Sequence, residues 1–144
     1  MRRVYALLAA LLVLLVVAQF FLAASGAFNT APNDESFQAH RALGYGLVLL
    51  AIVVTIVGAL ARMPGRLIGM TGLIAGLGVG QGLIRALAAA LNDSGDTSTT
   101  AGTLVFGLHA VNALFILSLA GTVARRARVL ASSTVASRPA QPVS

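Results

Sequence analysis

The sequence predicts an all-α membrane protein, a transmembrane four-helix up-down bundle with both termini on the cytoplasmic side. Three observations predict it. Four runs of about 20 mainly apolar residues match the roughly 30 Å hydrocarbon core of a bilayer. The connections between them are short, which sets consecutive helices antiparallel and adjacent. Arginines stand at one set of helix ends and all four acids in the other two loops.

Composition agrees with this class. Of the 144 residues, 58% are hydrophobic and only 10% charged, and the mean hydropathy is +0.91. A water-soluble domain spreads charge over its exposed faces, and here the charge falls between apolar runs. The pI near 11.6 does not indicate nucleic acid. Every basic residue is Arg, and most sit at span ends rather than on a solvated face. A Lys-free chain rich in Ala, Gly, Leu and Val fits a GC-rich bacterial genome, hence a bacterial inner membrane. With no cysteine, disulfides, thiolate metal sites, iron–sulfur clusters and covalently attached haem are excluded.

The first span covers Val4–Ser25. Arg2, Arg3 and the Ala23-Ala24-Ser25 stretch resemble a signal peptide, but the apolar run exceeds the roughly 7–15 residues of a signal core, so an uncleaved span is expected. The second covers Ser36–Ala61, with Pro32-Asn33-Asp34-Glu35 supplying a cap and two acids at its start. Arg62 and Arg66 bracket a tight Met63-Pro64-Gly65 turn into the third, Leu67–Leu91. The fourth, Gly102–Ala124, follows hydroxyl caps from Thr97-Ser98-Thr99-Thr100 and ends at Arg125, Arg126 and Arg128. Residues 1–128 form the membrane domain. Residues 129–144, rich in Ser, Ala and Pro, read as a cytoplasmic tail, disordered from Ser132 on.

Polar side chains inside spans are costly and are functional candidates by default. In the second to fourth spans they are His40, Arg41, Gln81, Arg85, His109 and Asn112, all in the outer half; Gln19 stands in the first. At 1.5 Å per residue, His40 lies about 10 Å below a helix start at Asn33, and His109 about 13 Å below one at Thr100. The second and fourth helices are diagonal in an up-down bundle, so both imidazoles can face one core position. That arrangement suits a haem b iron with His40 and His109 as axial ligands. Gly44, one turn from His40, would admit a porphyrin to the backbone. Arg41 and Arg85, with Gln81 on the Arg85 face, would meet its propionates. The competing reading makes the histidines inter-helix hydrogen-bonding groups and the arginines snorkelling side chains.

Other chemistries find less support. Two histidines without an inward acid make a poor zinc site, no Ser–His–acid set is present, and no Pro breaks a span as transporters require. The Gly72, Gly76, Gly80 stripe reads as a packing surface, within the bundle or toward a second copy or a membrane partner.

His40-Arg41 opening the second helix, Gln81 in the third and Leu108-His109-Ala110 in the fourth resemble one four-helix half of the haem A synthase family. They also resemble an uncharacterised family of short bacterial four-span proteins. The first resemblance implies His40 and His109 as haem ligands. It does not extend to catalysis. Phe37 stands where that family has a catalytic Glu three residues before the first His, the outer-loop cysteines are missing, and the chain is half the enzyme's length. The expectation is a haem b bundle that transfers electrons or handles haem. Its alternatives are an accessory membrane subunit without cofactor and a lipophilic-ligand site, such as one for a quinone.

Overall fold

The computed structural model describes residues 1–92 and 98–136, and these are helical with no strand among them. Five helices follow one another: α1 (Arg2–Ala27), α2 (Asn33–Ser36), α3 (Gln38–Leu60), α4 (Gly65–Leu91) and α5 (Thr100–Ala136). Four are long and apolar enough to cross a membrane. In lipid the helix is the form that satisfies every backbone amide within its own segment, which is why such runs fold this way. The chain is a multi-pass membrane protein.

The long helices form a ring. α1 packs against α3 and α5, and α4 packs against the same two, leaving α1/α4 and α3/α5 as diagonals. The contacts have a consistent register. Gln19, late in α1, lies beside Gly44, early in α3, whereas Tyr5, early in α1, lies beside Gly58, late in α3. Likewise Val48 meets Gly78 and Thr55 meets Gly72 between α3 and α4. Between α4 and α5, Leu77 pairs with Asn112 and Gln81 with His109.

Packing is uneven along the bundle. Tyr5, Leu12, Val54, Thr71 and Val123 are fully buried at one end, where Gly58 leaves room for the Tyr5 ring and Tyr5 Oη donates to the Leu67 carbonyl at 3.4 Å. Of the buried hydrophobic residues, only Ala88 lies toward the other end, beyond His40 and His109.

Two boundaries and one cap differ from the sequence expectation. The second span does not run straight from the Asn33 region. Phe37, at φ −103 and ψ 10, separates α2 from α3, so His40 sits in the first turn of α3 and not seven residues down a continuous helix. The break lets the Phe37 ring lie on Gly26, where a Cβ would come within 2.9 Å of it. Asp34 and Glu35 do occupy the first turn of α2, but no side chain caps it. Third, α5 continues to Ala136, past the expected end of the membrane domain at residue 128. Ala, Leu and Val at 127–131 keep the helical pattern going. The rest of the expected tail, 137–144, lies outside the described residues.

Two helix ends show their chemistry directly. Arg62 adopts φ 50, Met63 N–H donates to the Gly58 carbonyl at 3.0 Å, and Arg62 N–H to that of Ala59 at 3.0 Å. This is a left-handed helix stop, a conformation usually given to Gly. At the start of α5 the expected hydroxyl cap is present: Thr99 Oγ1 accepts from Gly102 N–H at 3.0 Å. Thr97 lies outside the described residues.

Candidate functional site

One polar layer crosses the bundle, with one member from each long helix: Gln19 on α1, His40 on α3, Gln81 on α4 and His109 on α5. The diagonal imidazoles meet. Their ring centres are 6.2 Å apart and their planes inclined at 46°. His40 Nδ1 donates to the main-chain carbonyl of Gln19 at 3.2 Å. That bond fixes the tautomer and leaves Nε2 as the lone-pair nitrogen, the usual arrangement for a metal-ligating imidazole. Phe37 stands edge-on to His40 at 6.2 Å, and Phe106 stacks on His109 at 5.4 Å, so an aromatic ring braces each imidazole.

Gln81 Nε2 donates to the His109 carbonyl at 3.1 Å, and Asn112 Nδ2 donates to the Leu77 carbonyl at 2.9 Å. These two bonds tie α4 to α5, one within the layer and one about a turn away on the Tyr5 side. What the layer leaves open is more informative. Among the described residues, the buried side-chain nitrogens and oxygens without a hydrogen-bond partner are Gln19 Oε1, Gln81 Oε1 and His109 Nδ1. All three belong to this layer. A buried polar atom without a partner costs about 1–3 kcal/mol, so this layer carries unsatisfied hydrogen-bonding capacity.

The other expected site residues are placed differently. Gly44 does not border open space at the histidines; a Cβ there would stand 3.0 Å from Gln19 Nε2. It admits the Gln19 side chain. Arg41 is held at the helix start by Asp34, through the Asp34 carbonyl and an ion pair at 3.4 Å with Oδ1. Arg85 is exposed, one turn beyond Gln81. Gly102 packs on the Asn92 carboxamide, which leaves it no room for a side chain. It supports the helix start. Gln19 is the member that sequence reasoning set aside. Counting depth from the C-terminal end of α1 would have found it, since eight residues from Ala27 is about 12 Å, close to the depth of His109.

The donor set can be tested against an iron held between the imidazoles. A metal–imidazole bond is about 2 Å, which sets the centres of two opposed rings about 6 Å apart. The observed ring-centre distance is 6.2 Å, a spacing that two rings in direct contact also adopt. The described residues hold no cluster of three or more His, Cys, Asp or Glu, so the arrangement offers two imidazoles and carboxamides.

Residues 19–89 match the model of a family of unknown function, DUF6220. The match covers just under half of the chain, from Gln19 through α3 to near the end of α4. It takes in Gln19, His40, Arg41, Gln81 and Arg85 and stops short of His109. No curated protein and no solved structure matches.

Proposed function

We propose that this protein is a small haem b-binding protein of the bacterial inner membrane, with His40 and His109 as the axial ligands. We place it as an up-down bundle with both ends cytoplasmic and the polar layer in the outer half. The orientation rests on Arg2, Arg3, Arg62, Arg66, Arg125, Arg126 and Arg128 at one set of ends and the acids at the other. The observation that carries the function is the diagonal imidazole pair at 6.2 Å, with His40 held in the ligating tautomer by the Gln19 carbonyl.

Packing supports the reading. Nearly all buried hydrophobic residues lie on the Tyr5 side of the layer, so the half that carries the histidines leaves more of its side-chain surface accessible. Gln19 and Gln81 present unpaired carboxamide oxygens there. Arg85 is the propionate partner of choice, because Asp34 already engages Arg41. Haem b in such a site supplies one-electron transfer. The residues themselves supply ligation, a fixed imidazole tautomer and a low-dielectric surround. The likeness to half of a haem A synthase supports the ligand assignment only, since Phe37 leaves no carboxylate for that family's catalysis. The test is haem content of the His40→Ala, His109→Ala double variant, with folding checked by circular dichroism. Loss of haem from a folded protein is expected, and retained haem sinks the proposal.

A second reading has its own observation. Ring centres 6.2 Å apart also suit direct packing of two rings, and the His40–Gln19 bond ties α1 to α3 without a cofactor. On this reading the chain is an accessory subunit. Its contact surface would be the Gly72, Gly76, Gly80 stripe together with Gly69, since a Cβ at Gly69 or Gly76 meets nothing within 4 Å. Isolation consistently as a single species, with no partner and no self-association, counts against it.

A further inference from the structure

A groove of 480 Å³ runs between α1 and α5 at the end of the bundle opposite the histidines. Ala10 and Val13 form one wall, Leu117 and Gly121 line the apolar stretch, and Arg125 and Arg128 stand at its mouth. From Leu117 to Arg128 is eleven residues, about 16 Å of helix, roughly half a bilayer's hydrocarbon thickness. The groove therefore runs from within the inner leaflet to the headgroups, mainly apolar with Ser118 in its lining, and cationic at one end.

Among the described residues, no acid belongs to this end of the bundle. Asp34 and Glu35 belong to α2 at the opposite end of the bundle. The Arg41–Asp34 ion pair also lies at that opposite end. Arg125 and Arg128 are three apart and share a helix face, whereas Arg126 lies about 100° round the helix and does not line the groove. Arg125 also lies about 38 Å along α5 from Thr100, beyond the hydrocarbon and at headgroup level. Two guanidiniums on one face can both donate to one phosphate.

We propose that this groove is a binding site for an anionic phospholipid, its phosphate held by Arg125 and Arg128 and one acyl chain laid along Leu117 and Gly121. The site is independent of the histidine layer and of what that layer binds. Gly121 gives the proposal a clean perturbation. A Cβ there meets nothing within 4 Å, so the fold accepts a side chain while the groove loses its space.

The experiment measures lipid binding to the full chain in detergent by native mass spectrometry and by thermal unfolding. The added probes are phosphatidylglycerol, phosphatidylcholine and inorganic phosphate. Phosphatidylglycerol should be retained and should raise the unfolding temperature, with little effect from the other two. Gly121→Leu and the pair Arg125→Gln, Arg128→Gln should each weaken phosphatidylglycerol binding by about tenfold or more. Arg126→Gln should stay within about twofold. Should Gly121→Leu fail to fold, Ser118→Leu fills the same groove and carries the same expectation. Equal loss from Arg126→Gln would reduce the site to general surface attraction and overturn the proposal. So would full binding by the filled groove, or equal stabilisation by inorganic phosphate.

Discussion

Gly58→Ala probes the close contact between α1 and α3. The added methyl would stand 2.8 Å from Tyr5 Cε2 and 3.5 Å from Ile68 Cγ1. Tyr5 is fully buried and its hydroxyl is bonded to the Leu67 carbonyl, so the ring cannot swing aside without losing that partner. Overpacking of this kind costs about 1–3 kcal/mol, while Ala in place of a mid-helix Gly returns about 0.5–1 kcal/mol. The net expectation is a loss of about 1–2 kcal/mol. Gly76→Ala is the internal control, since a methyl there meets nothing; it should be neutral or gain up to about 1 kcal/mol. Unfolding in mixed micelles, followed by circular dichroism, measures both. Shortening the partner by Tyr5→Leu should remove most of the Gly58→Ala penalty in a double-mutant cycle. Equal stability of Gly58→Ala and Gly76→Ala would refute the packing register on which the depth of every polar residue depends.

Two further substitutions test local chemistry. Arg62 holds a left-handed conformation that costs a non-glycine residue about 1–2 kcal/mol, so Arg62→Gly should raise stability by about 1 kcal/mol in the same assay. Gly102→Ala would drive a methyl into the Asn92 carboxamide, whose Oδ1 accepts from Thr99 N–H at 3.0 Å. Destabilisation by about 1–3 kcal/mol is expected, with faster amide exchange in the first turn of α5.

The four spans were legible because lipid imposes one simple requirement, a run of apolar residues long enough to cross it as a helix. Thr99 was legible as a cap for the same local reason, a hydroxyl placed just before a helix. The Phe37 break was not. It depends on the Phe37 ring resting on Gly26, a contact across helices that no local pattern encodes. The extension of α5 to Ala136 was missed because charge at Arg125–Arg128 was read as the end of the helix as well as of the apolar run. Within the site, the meeting of His40 with His109 followed from depth counting plus diagonal placement. The roles of Arg41 and Gly44 did not follow, because Asp34 and the Gln19 side chain are their neighbours only once α1, α2 and α3 are packed. Gln19 itself stood out of view because depth was counted only from helix starts.

The most direct test of the central claim is a visible spectrum of the purified protein from a haem-replete host, oxidised and then reduced with dithionite. A sharp Soret band and a reduced α-band of low-spin haem b, both lost in His40→Ala and in His109→Ala, is the predicted result. A colourless protein, or a haem spectrum unchanged in both variants, would contradict the assignment of His40 and His109 as axial ligands.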